Sequence, residues 1–170
     1  MTRARSARSA RPAVTLGAAA VVLLLAPGPA DASATCRSVE GSYVEHAVPG
    51  PDCLSPVGLC IAGTYRGDIR GEFSGQATSI VTTADTPVTT VALFTSDSTI
   101  AARTGGRSGT LLVKNAGSFT SNPDGSIVDL QTIVGGTGGL VGASGSLRAT
   151  GTFSFATGGR STWAGVVCLP

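Results

Sequence analysis

From Ile61 to its end the chain is cut by turn signals into short runs rich in Val, Ile, Thr and Phe, and no cut leaves room for a crossover helix. Parallel strands need connections of a dozen or more residues, so a sheet built from these runs is antiparallel. The runs cover 62–70, 71–83, 88–103, 109–120, 126–134, 145–157 and 161–169. Between them lie Ala84-Asp85-Thr86-Pro87, Thr104-Gly105-Gly106-Arg107-Ser108, Ser121-Asn122-Pro123-Asp124-Gly125, a glycine-dense stretch over 135–142, and Gly158-Gly159-Arg160. Such clusters favour turns because Gly admits positive φ, Pro presets φ, and Asn or Asp bonds its own backbone. The clearest period is in 145–157. Leu147, Ala149, Gly151, Phe153 and Phe155 share one face, and Arg148, Thr150, Thr152 and Ser154 share the other. Period 2 predicts that Leu147, Phe153 and Phe155 are buried together and that Arg148 meets solvent. The fold class is all-β, with seven or eight strands in a barrel or a sandwich.

The first 32 residues read as a secretory signal. Arg3, Arg5, Arg8 and Arg11 form a basic start, 14–26 is an apolar run of thirteen residues, and Ala30-Asp31-Ala32 offers a small-x-small cleavage pattern. Cleavage is expected after Ala32, or after Ala34 in a second register. A membrane span needs about 20 apolar residues, so no anchor is expected after processing. Four of the twelve Lys and Arg and one of the ten Asp and Glu lie in this leader, which leaves eight against nine and a net charge of −1. With no basic patch left, nucleic acid is not an expected partner. The product is expected to be secreted, extracellular and free of lipid.

Residues 33–60 hold three of the four cysteines and His46, with three of the six prolines that follow the leader. No period stands out there, so this part reads as an irregular segment pinned by disulfides, with 61–170 as the β-domain. His46 is the chain's one histidine, and beside Pro49 and Pro51 it reads as an exposed loop residue rather than part of a catalytic triad. Cys36, Cys53, Cys60 and Cys168 lack the paired spacing of a zinc site, and in an exported chain they are expected as disulfides, with no metal. Tyr65, Asp68 and Glu72 are candidate catalytic residues if burial shifts a carboxylate. The competing reading makes Asp68 and Glu72 outward charges at a strand end. Asp129 and Arg148 are likewise read as outward-facing, since charged residues are rarely buried unpaired.

The segment Arg107-Ser108-Gly109-Thr110-Leu111, its strand end Gly117-Ser118-Phe119, and the stretch Ile133-Val134-Gly135-Gly136-Thr137-Gly138-Gly139-Leu140-Val141-Gly142-Ala143-Ser144-Gly145, followed by Leu147 and Gly151-Thr152-Phe153, carry a resemblance. They resemble the glycine-rich signature of the allene oxide cyclase and dirigent barrels, and of small secreted bacterial members of that superfamily. The resemblance implies a closed antiparallel eight-stranded barrel. It also implies a cavity for an apolar, often oxygenated molecule, activity without a cofactor where there is activity, and a possible homo-oligomer. No catalytic residue of those families carries over. Gly135, Gly136, Gly138, Gly139, Gly142 and Gly145 suit a tight connection at a barrel rim. A phosphate-cradling loop would need a helix after it, and Ser146-Leu147-Arg148-Ala149-Thr150 continues as a strand.

Three functions fit these readings. One is a secreted barrel that binds a small apolar molecule. Another is a cofactor-free cyclase or isomerase. The third is a structural or interaction module of the cell envelope with a filled barrel. For the cysteines, closure of the first barrel strand on the last points to Cys60–Cys168, which leaves Cys36–Cys53 as a local loop. The competing pairing is Cys36–Cys60 with Cys53–Cys168.

Overall fold

The computed structural model describes residues 34–85, 89–121 and 125–170, with backbone only at Ala84 and Asp85. The leader and parts of the turns at 84–87 and 121–125 lie outside the described residues. Eight strands follow in order: β1 (Thr35–Ala47), β2 (Cys60–Gly67), β3 (Arg70–Asp85), β4 (Thr90–Thr104), β5 (Arg107–Thr120), β6 (Ser126–Gly136), β7 (Ser144–Ser154) and β8 (Gly158–Leu169). Each pairs antiparallel with the next, and β1 pairs with β8, so the sheet closes and no edge remains. This is the closed eight-stranded barrel that the resemblance implied. Among the described residues no helix is long and apolar enough to cross a membrane.

The eighth strand comes from the segment read as irregular. Val39, Tyr43 and Glu45 point inward along β1, while Ser38, Glu40, Ser42 and His46 point out. Gly41 and the outward apolar Val44 blur that alternation in the sequence. Among the described residues of that segment, Ala34 and residues 48–59 lack strand structure, and the stretch 48–59 is held by Cys53–Cys60. His46 is exposed as expected, but it sits on a strand.

The disulfides are Cys36–Cys168 and Cys53–Cys60, so both the expected pairing and its competitor are wrong. The reason is which strand closes the barrel. β1 rather than β2 lies beside β8, and the register sets Cys36 directly opposite Cys168. Cys60, at the head of β2, then takes Cys53, seven residues back.

The two ends of the barrel are built differently. At one end β4 and β5 are joined by Gly105 and Gly106, with φ of +58° and +74°, the pair of positive values that a tight two-residue hairpin demands. Beside it the glycine-dense connection forms a single 3-10 turn, Gly138–Leu140, rather than a plain rim loop. A Cβ at Gly109 would collide with the Thr137 carbonyl oxygen, so glycine lets this turn lie against β5 and deliver Leu140 into the barrel. Ile69, Ile100, Leu111, Leu140, Leu147 and Val167 are fully buried there and form an apolar floor. Burying each such side chain contributes about 1.5–3 kcal/mol.

Higher up, inward glycines face large rings across the strands. Gly41 lies opposite Trp163 and Gly63 opposite Phe73, and an added Cβ at either would strike the ring. Phe94 covers Gly117 in the same way. This pairing of nothing with something large fills a narrow barrel and gives Gly41, Gly63 and Gly117 their reason. On β7 the expected inward face holds for Leu147 and Phe153, both buried. Phe155 departs from it, because β7 ends at Ser154 and Phe155 stands beyond the strand, 59% exposed.

Candidate functional site

Between the floor and the opposite end the inward positions turn polar. Along β4 the inward order is Ile100, Ser98, Ser96, Phe94. On β6 it is Ile133, Gln131, Asp129, Ile127. β1 contributes Tyr43 and Glu45, β2 Tyr65, β5 Asn115, and β8 Ser161 and Trp163. The layer thus draws on six of the eight strands.

Part of the layer is satisfied internally. The Tyr65 hydroxyl donates to Gln131 Oε1 at 3.0 Å, and Gln131 Nε2 donates to Asp129 Oδ2 at 2.9 Å. Asn115 Nδ2 donates to Ser96 Oγ at 3.0 Å and Ser98 Oγ at 2.6 Å. Part of it is not. Among the described residues, Glu45 Oε1, Asp129 Oδ1, Ser161 Oγ and Trp163 Nε1 are buried without a hydrogen-bond partner in the protein. Each such atom costs roughly 1–3 kcal/mol unless something supplies the missing bond.

The two carboxylates lack any compensating cation. Every described Arg, Lys and His is exposed, and the ion pair Lys114–Asp97, at 2.7 Å, lies on the outer surface. Burial first, and then the charge of Asp129, push Glu45 up to about 7 from 4.5. Burial pushes Asp129 up to about 6 from 3.8, against the hydrogen bond from Gln131. Tyr43 is raised by burial and then by Glu45, and Tyr65 by burial and then by Tyr43. Near neutral pH, this pair can hold a proton on one carboxyl while the other is ionised.

Two small adjoining cavities open beside these groups. The deeper one, about 40 Å³, is walled by Tyr43, Tyr65, Asn115, Asp129 and Gln131 as well as Glu45. The one nearer the mouth, also about 40 Å³, is walled by Leu59, Ala77, Phe119 and Phe153, and both touch Glu45, Ile61, Phe94, Ser96 and Ile127. At the mouth Phe153 meets Phe155 edge-on with ring centres 5.3 Å apart, and Phe119 stands 6.0 Å from Phe155. A wider concavity of about 700 Å³, bordered by Glu40, Arg66 and Arg148, lies on the outside of the barrel. None of the buried unpartnered carboxylate oxygens borders it.

Of the candidate residues read from the sequence, only Tyr65 belongs to this layer. Asp68 is exposed at the β2–β3 turn and accepts the backbone N–H of Glu40 at 2.9 Å. Glu72 is exposed on the outer face and accepts the Thr64 hydroxyl at 2.9 Å. The structure therefore does not bring the three together. Arg148 is exposed as expected. Asp129 is not the outward charge it was read as, because it is only 6% exposed and points into the barrel. Glu45, Tyr43, Gln131 and Asn115 were missed altogether. On β6 the signal is ambiguous, since outward Val128, Leu130 and Val134 are as apolar as inward Ile127 and Ile133. A polar pair flanked by isoleucines at period 2, Ile127-x-Asp129-x-Gln131-x-Ile133, was the available clue. Among the described residues no three His, Cys, Asp or Glu side chains gather as a metal site would need.

No curated protein matches the sequence. A solved structure, that of the pterocarpan synthase dirigent protein GePTS1, is similar at a TM-score of 0.34 and 13% identity, over 81% of this chain and 87% of that one. A likeness that distant says nothing about the groups inside this barrel. The family model of DUF3224, described as a protein of unknown function, matches residues 30–162, and the chain belongs to that family.

Proposed function

We propose that this is an exported barrel that binds a small molecule in its upper half, with an apolar body under the phenylalanine rim and a polar head in the layer below. One observation carries the reading: buried carboxylate oxygens with no protein partner face a cavity whose mouth is aromatic and aliphatic. A barrel filled only for stability gains nothing from two uncompensated carboxylates, which argues against a purely structural module. The two disulfides suit an oxidising compartment, and with the leader read in the sequence they support export.

Size limits the ligand. Each cavity has room for a few waters, whereas drug-sized pockets run to roughly 300–1,000 Å³. The ligand is therefore small, or the rim opens to admit it. Phe155, on the short turn between β7 and β8, has the least packing to lose.

A second reading, a cofactor-free isomerase or cyclase, is favoured by Glu45 near 7 and Asp129 near 6 beside the same chamber. That pairing suits proton removal at one carbon and return at another.

The test is an amide chemical-shift survey of the disulfide-intact protein against a set of small organic molecules. Binding inside the barrel shifts Glu45, Phe94, Phe119 and Phe153, leaves Ile69 and Leu140 still, and is abolished by Ala77→Phe, which fills the mouth. Shifts confined to the outer face, or unchanged by Ala77→Phe in a folded protein, overturn the reading.

A further inference from the structure

We infer that the head group of the ligand is a small organic cation, a primary ammonium, seated between Glu45 and Asp129. The inference rests on the barrel-interior binding proposed above and adds the chemical class of the ligand. The argument begins with an inventory. Of the four unpartnered buried atoms, the two on residues that border the chamber are acceptors: Glu45 Oε1 and Asp129 Oδ1, on residues 7% and 6% exposed. Of the donors that line it, the Tyr65 hydroxyl, Gln131 Nε2 and Asn115 Nδ2 are already spent on protein partners, and the hydroxyls of Tyr43, Ser96 and Ser98 carry no charge to offset two carboxylates. A ligand that donates to the two unmet carboxylate oxygens supplies what the chamber lacks.

Charge narrows the choice further. Two carboxylates share the interior, and no Arg, Lys or His among the described residues turns inward to meet them. The groups facing Glu45 are Asp129 from β6, Tyr43 from its own strand and Tyr65 from β2, while Ser161 on β8 and Phe153 on β7 are neutral. None of these is a cation. A neutral hydroxyl would satisfy one oxygen and leave the charge uncompensated. An ammonium has three donors and a full positive charge, so it satisfies both carboxylates at once with charge-assisted bonds.

The walls suit a cation as well. Tyr43, Tyr65 and Phe73 form a ring cluster with centres 5.1–5.7 Å apart, and all three border the chamber. Aromatic faces attract a desolvated cation. Above them the aliphatic and phenylalanine mouth suits a short apolar body and rejects a second charge. An anion would face two like charges and is excluded on the same grounds.

Three probes of matched size, n-butylamine, 1-butanol and butyrate, decide it, titrated into the disulfide-intact chain and followed by amide shifts and by the fluorescence of the chain's one tryptophan, Trp163. At about pH 8 an aliphatic amine is still protonated and the carboxyls are largely ionised. There butylamine should bind about tenfold or more tightly than butanol, and butyrate should not bind. Glu45→Gln and Asp129→Asn, which keep shape and remove charge, should each erase most of that advantage. Lowering the pH to about 5 should erase it as well, because both carboxyls then hold protons. Butanol binding inside the barrel as tightly as butylamine, or an amine advantage that survives both substitutions, overturns this inference but leaves small-molecule binding standing. Failure of all three probes to move the interior amides removes both.

Discussion

The two halves of this barrel solve different problems with the same eight strands. The floor is aliphatic, with six side chains fully buried, and it is tied by Cys36–Cys168, a bond that spans 132 residues. The upper half carries a polar layer with unpartnered atoms and two small cavities, and it is tied by Cys53–Cys60, which spans seven. Stability and chemistry are thus separated along one axis. The floor supports an upper half whose buried charges would otherwise be hard to hold. A uniformly packed barrel would have no such gradient, and the gradient makes definite demands on mutants.

The largest demand falls on the disulfides. In the loop-closure description the gain grows with the loop enclosed, about 4–5 kcal/mol for the long bond and about 2 kcal/mol for the short one. Replacing Cys36 and Cys168 by Ala should therefore cost roughly twice as much stability in denaturant unfolding as replacing Cys53 and Cys60. Equal costs would show that the floor is not the part that closure protects.

The next demand concerns pH. A carboxyl whose folded pKa is raised binds its proton more tightly in the native state, so stability falls as pH rises between the unfolded and folded values. For Glu45 and Asp129 that window runs from about 4 to about 7. Unfolding free energy should drop across it by a few kcal/mol in all, and the drop should shrink in Glu45→Gln and in Asp129→Asn. Leu147→Ala in the floor should cost about 2–5 kcal/mol at every pH. If the cost of Leu147→Ala relative to wild type itself changes across that window, or if the wild-type curve is flat from about pH 4 to 7, the halves are not energetically distinct.

Much of the fold could be read from local chemistry, and the reason is visible strand by strand. β7 declared itself because one face is apolar and the other is Arg148, Thr150 and Thr152. The Gly105-Gly106 hairpin declared itself because two positive φ values at one turn call for glycine. β1 was hidden by the cysteine and proline signals around it and by Val44 on its outer side, and losing it misassigned the disulfides, since closure involves β1. The site was hidden for a different reason. A single strand's pattern assumes that apolar residues point in, and β6 turns Leu130 and Val134 outward while Asp129 and Gln131 point inward. Only closure and register show that these polar side chains meet Tyr65 and share a chamber with Glu45, 84 residues away from Asp129 along the chain.

The smallest effect tests the border of the upper half. Phe153 and Phe155 were read as equals on one face, yet Phe153 is 7% exposed and walls the cavity, while Phe155 is 59% exposed at its lip. Truncating a buried Phe typically costs about 3–5 kcal/mol, and Phe153→Ala should approach the lower end because the cavity already lies on one side of it. Phe155→Ala should cost about 1 kcal/mol or less, the worth of its edge-on contacts with Phe119 and Phe153. Its main consequence should be kinetic. With the lip removed, a bound probe such as butylamine should exchange faster while its affinity changes little, seen as narrower exchange-broadened amide signals around Phe119. A Phe155→Ala protein as unstable as Phe153→Ala would mean that the rim is packed like the floor. The opening would then have to lie elsewhere on the barrel.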